Sequence, residues 1–342
     1  MPQGCSERRV PHGAPRLTCK GDPVTALIAR STYTVDPWDP SYGVAGLGDE
    51  PDGSAASTVR LDLDVEVPSA SWKPLWPTRD VLLPSAVLFL DGVRRIDARV
   101  WVNGSSPQPV PGVAASLAAG LVSCDGAARI VDVRVDRGLY TADGSAGELV
   151  TRHGTYARRP ARPGLDELSL AVQRRLAELE VETALSWRSW TGAADDLLVT
   201  DGPLHGRGHL PRIVGYVKTH DKTYLDEPQA SVVSSLLPGQ RTPAFAITTS
   251  WRRNSWYLRL PTSASSPWSG VVRLECSADL NVDATVELAD LTASVLPSYA
   301  SVPHKDPRAP QNLVPIGGLE RQLRHRLGDH AILYRALRAA TS

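Results

Sequence analysis

From Leu165 to Thr191 the chain has neither glycine nor proline, and Leu165, Leu168, Val172, Leu176, Leu179 and Leu185 recur there at helical spacing. A stretch of this kind predicts one long amphipathic helix whose apolar stripe must cover a partner surface. The segments around it have a different period. "AVLFL" (86–90) is a short unbroken apolar run, "RIDARVWVNG" (95–104) alternates through Ile96, Ala98, Val100 and Val102, and "ARIVDVRVDRGLY" (128–140) alternates through Ile130, Val133 and Val135. Three strands joined by turn residues suggest an antiparallel meander. After the helix, Leu197 to Thr200 form another apolar run, followed by the candidate strands "RIVGYVKTH", "AFAITTS" and "WYLRLPT", the last placed near a sheet edge by its proline.

The remaining elements are a moderately periodic helix in "SADLNVDATVELADLTASVL", a Pro-rich turn and a closing helix in "IGGLERQLRHRLGDHAILYRALRAA". The order β-β-β-α-β, then mixed elements, predicts an α/β fold with a mixed sheet flanked by helices, and it resembles the ribonuclease H-like architecture. Residues 1–80 are rich in Pro, Gly, Asp and Ser and are expected to form an irregular extension with at most a hairpin, including a strand in "TVRLDLDVEV". Trp72 and Trp76 are the residues expected to anchor that extension to the main domain, 81–342.

Composition narrows the function classes. Lys+Arg and Asp+Glu are both 37, so no bulk field favours a polyanion and any nucleic-acid surface has to be local. Cys5, Cys19, Cys124 and Cys276 show neither disulfide nor zinc spacing. The N-terminal residues lack a signal-peptide apolar core and no run is long enough to span a membrane, so a reducing cytoplasm is expected.

Two aspartates follow apolar runs directly: Asp91 in "AVLFLDG" and Asp201 in "LLVTDG". Either Asp-Gly suits a hairpin corner. If their strands are neighbours in one sheet, however, the two carboxylates share a rim and repel, and a hard divalent cation relieves that repulsion. Mg²⁺ or Mn²⁺ suits such oxygen ligands. A third carboxylate is expected from the long helix, where Glu178 and Glu182 share a face and Glu180 lies far around it. Glu182, nearest to the strand of Asp201, is the first choice. Glu320 on the closing helix is a fourth candidate, with Asp329 and His330 as competitors.

Taken in order, "LFLDGVRR", the Glu-bearing helix, "LLVTDGPLHGR", "RIVGYVKTHDKTYL", "SWYLRLP" and "PQNLVPIGGLERQLRHRLGD" resemble the NurA nuclease family in its bacterial form, over roughly residues 72 to 338. The resemblance implies a ribonuclease H-like, Piwi-related core, a toroidal homodimer, Mn²⁺-dependent (or Mg²⁺-dependent) DNA hydrolysis and a hexameric HerA-type ATPase as partner. It implies that Asp91 matches the aspartate of the family's "DGS", Asp201 that of "DGSL", and Glu182, then Glu178, the helix glutamate. Val93 departs from the expected serine, and Glu320 stands where the family often has histidine.

Under this reading Asp91, Asp201 and the glutamates hold two metal ions that activate water and stabilise the departing 3′ oxygen. Arg94, Arg95 and Lys218 are the candidate phosphate contacts, Lys218 being one of five lysines. His205, His209 and His220 read by default as polar loop residues, with an approach of His205 to the metals as the alternative. Trp251, Trp256 and Tyr257 either stack bases or fill the core. A haloacid-dehalogenase-type phosphatase fails because position 89, where its nucleophilic aspartate belongs, is Phe. The other alternative is a non-catalytic DNA-binding or ATPase-docking subunit on the same fold.

Overall fold

The computed structural model describes residues 32–35, 59–104, 107–192, 195–218, 224–262 and 267–341. Its strands are β1 (Thr32–Val35), β2 (Arg60–Asp62), β3 (Val87–Asn103), β4 (Val110–Cys124), β5 (Ala128–Thr141), β6 (Leu149–Thr151), β7 (Gly154–Pro160), β8 (Leu197–Asp201), β9 (Ile213–Val217), β10 (Phe245–Thr248), β11 (Arg252–Arg259) and β12 (Val271–Ser277). The helices are α1 (Leu165–Thr191), α2 (Gln229–Ser235), α3 (Val282–Val295), α4 (Val314–Arg326) and α5 (His330–Thr341).

A mixed sheet runs in the order β2-β10-β11-β12-β9-β8-β3-β4-β5-β7-β6, with β1 also on β3. The middle of that order positions the site. β3, β4 and β5 form the antiparallel meander, and β8 joins β3 in parallel on its other side, followed by β9, again in parallel.

The meander is cut differently from the sequence expectation. "AVLFL" and "RIDARVWVNG" are one strand, β3, because pairing continues without a turn through Asp91↔Gly120 and Gly92↔Ala119. A register shift between Ile96 and Ala98 absorbs Asp97, whose buried carboxylate accepts from Arg95 Nε (2.8 Å), Tyr156 OH (3.0 Å) and Ser116 Oγ. The second strand is instead the small-residue segment "VPGVAASLAAGLVSC". Alanine and glycine are weak strand formers in isolation, yet here they let helices close on both faces: Ala115, Leu117 and Ala119 meet α1, while Ala118 meets the α3 and α4 side.

α1 spans the predicted region. It ends at Gly192 in the left-handed conformation (φ 64°), whose N–H donates to Arg188 O at 2.9 Å. Leu168, Ala171, Val172, Leu176 and Leu179 bury against β4 and Tyr140, whereas Leu165 and Leu185 are exposed. The other face of the sheet is covered by α3 and by α4, whose Leu319 and Leu323 reach Gly120 and share one apolar cluster with Val93 and Phe89.

Three further expectations change. The closing helix is two helices, broken at Gly328 (φ 80°), after which Asp329 Oδ1 caps α5 by accepting from Ile332 N at 2.9 Å. β11, carrying "WYLR", lies between β10 and β12 and not at an edge, its proline falling just past the strand. Residues 271–277, unassigned from sequence, supply that second neighbour.

The described parts of the extension join the main sheet. β1 pairs with β3 and β2 with β10, so they do not form a hairpin with each other, and "TVRLDLDVEV" is strand only at Arg60–Asp62. Trp72 is buried against Phe245 (5.7 Å between rings), while Trp76 is 60% exposed. Glu66 fastens this segment to buried Arg241, which also binds Asp290. Cys124 and Cys276 are buried free thiols; Cys5 and Cys19 lie outside the described residues. No described helix is long and apolar enough to cross a membrane.

Candidate acidic site

Pairing between β3 and β8 stops at Leu90↔Thr200, which leaves Asp91 and Asp201 as the next residues on adjacent parallel strands. Asp91 is therefore in mid-strand with respect to β4 but at a rim with respect to β8. Neither aspartate turns a hairpin. Asp91 Oδ1 instead accepts from the Gly92 N–H (2.7 Å). Gly202 takes φ 89°, a conformation that favours glycine, and sends the chain into the loop 203–212.

The third carboxylate is Glu180, not Glu182 or Glu178. A side chain on Gly92 would fall on Glu180 Oε1 and within 2.8 Å of Leu176 Cδ1, so glycine is what lets α1 bring its acid against β3. Glu180 is 4% exposed, whereas Glu182 and Glu178 are 45% and 64% exposed. Both of those bind Arg175 (2.6 and 3.3 Å), which is turned toward Asp136 (2.7 Å). The signal for Glu180 is in the sequence: Leu168, Val172, Leu176, Glu180 and Ala184 are spaced by four, and one member of that buried row is charged.

Burial, then the charges of Asp201 and Glu180, push the Asp91 carboxyl well above the usual carboxylate range, against opposing pulls from Lys218 and the Gly92 N–H. Burial also raises Glu180; Arg207 works against it and Asp201 with it. Two cations sit among the acids. Lys218 Nζ, just past β9, donates to Asp201 Oδ2 (2.7 Å) and Asn312 Oδ1 (2.9 Å). Arg207, from the loop after Asp201, pairs with Glu180 and donates from Nη1 to Pro203 O (2.8 Å). That loop is in turn pinned by Glu275, whose Oε1 accepts from Leu204 N at 2.6 Å; Glu275 is buried between Arg253 and Arg273.

Hard oxygen donors of this kind suit Mg²⁺ or Mn²⁺ in chemistry. Among the described residues, however, no three His, Cys, Asp or Glu stand at metal-holding distances, and Lys218 and Arg207 are paired with Asp201 and Glu180.

The acids open onto a cleft of about 1400 Å³ whose wall includes Arg94, Arg174, Lys218, His205, His209 and Arg324. Glu178, Glu182 and Glu320 line it too, away from the aspartates' immediate partners. Glu320 is held by Arg308 (2.9 Å) and Arg324 (2.8 Å); burial would raise its carboxyl, but those two guanidinium groups bring it below the ordinary value.

The other candidates divide. Arg94 reaches the cleft and donates to Gln173 (3.0 Å). Arg95 does not: it binds Asp97 and the carbonyls of Leu327 and Gly328, where it complements the C-terminal end of α4. Asp329 and His330 belong to the start of α5, outside the cleft lining. His205 packs edge-on against Trp251 (5.9 Å), while Trp256 and Tyr257 are core residues; His220 lies outside the described residues. Val93, in the place of the expected serine, is buried under α4.

No family model matches the sequence, and no curated protein matches it closely enough to count as a relative.

Proposed function

We propose that this chain is a divalent-metal-dependent DNA nuclease with a ribonuclease H-like core, of the kind the NurA resemblance implies. The observation that carries this reading is the convergence of Asp91, Asp201 and Glu180, from β3, β8 and α1, at one rim of an arginine-walled cleft. The sheet order β5-β4-β3-β8-β9, with a long helix covering it between β7 and β8, supports the ribonuclease H-like reading.

In this mechanism Asp91, Asp201 and Glu180 would hold the metal. Mn²⁺ or Mg²⁺ bound there would supply an activated water and a counter-charge for the departing 3′ oxygen. The residues of the chain do the rest. Arg94 and Arg174 draw the phosphate backbone along the cleft, and the rigid sheet rim fixes the acids against the scissile phosphate. His205, on the loop that Glu275 pins, borders the same cleft. A HerA-type ATPase as partner and a homodimeric assembly complete the proposal, with DNA end processing, repair or defence as its role.

The test is digestion of end-labelled linear DNA in Mn²⁺, with and without the ATPase. Asp91→Ala, Asp201→Ala and Glu180→Gln are expected to lose cleavage by about a hundredfold or more, and Glu182→Gln to stay near wild type. Equal loss in Glu182→Gln would return the helix ligand to that position.

One observation favours a second reading: the acids are already neutralised in part by Lys218 and Arg207, as in a non-catalytic DNA-binding or ATPase-docking subunit. Wild type that binds DNA but leaves it intact with Mn²⁺ and the ATPase present would establish that reading in place of the nuclease.

A further inference from the structure

The two cations at the rim are held in a way that ordinary surface ion pairs are not. Lys218 is suspended between a carboxylate and a neutral amide oxygen, and Asn312 is itself buried and fixed by donating from Nδ2 to Asp306 Oδ2. Arg207 likewise divides its guanidinium between Glu180 and the Pro203 carbonyl. Each cation thus has a neutral oxygen waiting beside its acid. Three acids face two cations here, in a place where burial makes charge separation costly.

We infer that Lys218 is a built-in counter-ion, displaced from Asp201 when a divalent cation enters, with Arg207 playing the same part at Glu180. The inference rests on the nuclease reading of this site. An ion ligated by Asp201 competes for the carboxylate to which the ammonium now donates, and two cations on one carboxylate in a low-dielectric setting repel strongly. The lysine can leave without disturbing the fold. Its side chain is 20% exposed toward the cleft and its stem is flexible, and Asn312 keeps Asp306 as a partner. Once released, the ammonium stands in the cleft where a backbone phosphate passes. The phosphate contact expected of Lys218 from sequence and the salt bridge seen here are then two positions of one side chain.

The displacement predicts two readouts other than activity. The chain has five lysines, so acetic anhydride labelling followed by peptide mass spectrometry resolves Lys218 from Lys73 and Lys305 in the wild-type protein. On moving from EDTA to saturating Mn²⁺, Lys218 labelling should rise by about threefold or more, as the ammonium exchanges an ion pair for solvent, while the reference lysines hold steady. In calorimetric titration Lys218→Met should bind Mn²⁺ about tenfold more tightly than wild type, a difference of about 1.4 kcal/mol. If wild type binds Mn²⁺ with no change at Lys218, and Lys218→Met gains no affinity, the inference is wrong and the metal site stands. If neither protein binds Mn²⁺ at millimolar concentrations, the metal site falls and the inference with it.

Discussion

Asp91→Asn separates the chemistry of the acid cluster from its contribution to folding. The substitution keeps the side chain's shape and the oxygen that accepts from the Gly92 N–H at 2.7 Å, while it removes one of three neighbouring negative charges. Burial and the charges of Asp201 and Glu180 raise the Asp91 carboxyl well above its ordinary range. A carboxyl raised on folding favours the folded state while protonated. That contribution is complete below the unfolded value of about 3.9 and is lost as pH climbs toward the raised folded value.

The metal-free wild type therefore bears this cost at neutral and alkaline pH, and the asparagine variant does not. At an effective dielectric of about 20, like charges about 4–5 Å apart repel by about 3–4 kcal/mol per pair, which sets the upper bound here. Lys218 and Arg207 offset most of this, leaving about 1–2 kcal/mol in favour of the variant. Spread over 342 residues at about 2 cal/mol/K each, that is a rise in Tm of about 1.5–3 °C. Scanning calorimetry in EDTA should show the gap at about pH 8 and its narrowing by about pH 5. Saturating Mn²⁺ should reverse the order by stabilising wild type alone. A variant that melts at or below wild type in EDTA at the higher pH would refute the claim that the acids repel one another in the metal-free protein.

Further substitutions probe the scaffold and the cleft. Gly92→Ala pushes a methyl group onto Glu180 and Leu176 and should cost about 1–3 kcal/mol in urea unfolding; an unchanged midpoint would mean that α1 does not press on β3 there. Arg241→Ala leaves Glu66 and Asp290 without their shared cation, and a loss of about 3–5 kcal/mol is expected; a loss below about 1 kcal/mol would show that the 59–80 segment is held by other contacts. Arg94→Gln and Arg174→Gln should each reduce the slope of log K against log salt by about 0.7–0.9 in DNA-binding anisotropy, and an unaltered slope would take that arginine off the DNA path.

The alternation that makes β3 and β5 strands, the span of α1 and the two aspartates that follow apolar runs are all legible in the sequence. Each of these is set by near-neighbour chemistry: period, turn residues and apolar content over a window of a few residues. Segmentation was less legible. Asp91-Gly92 reads as a strand end because the dipeptide suits a turn, yet β4 pairs straight through it, and Gly92 is there to make room for α1. "VPGVAASLAAGLVSC" reads as a connector, since its small residues carry little strand preference until helices press on both faces.

Which carboxylate joins the aspartates depends on long-range packing. Sequence spacing shows that Glu178 and Glu182 share one side of α1, but the rotation of a helix about its axis is fixed by the surface it packs on. Leu168, Val172, Leu176 and Leu179 settle on β4, and this turns Glu180 inward and leaves Glu178 and Glu182 to Arg175. The same holds for Lys218, Arg207 and Asn312, which come together at the acids from three separate stretches of chain. Their association depends on long-range packing, and no window of sequence contains it.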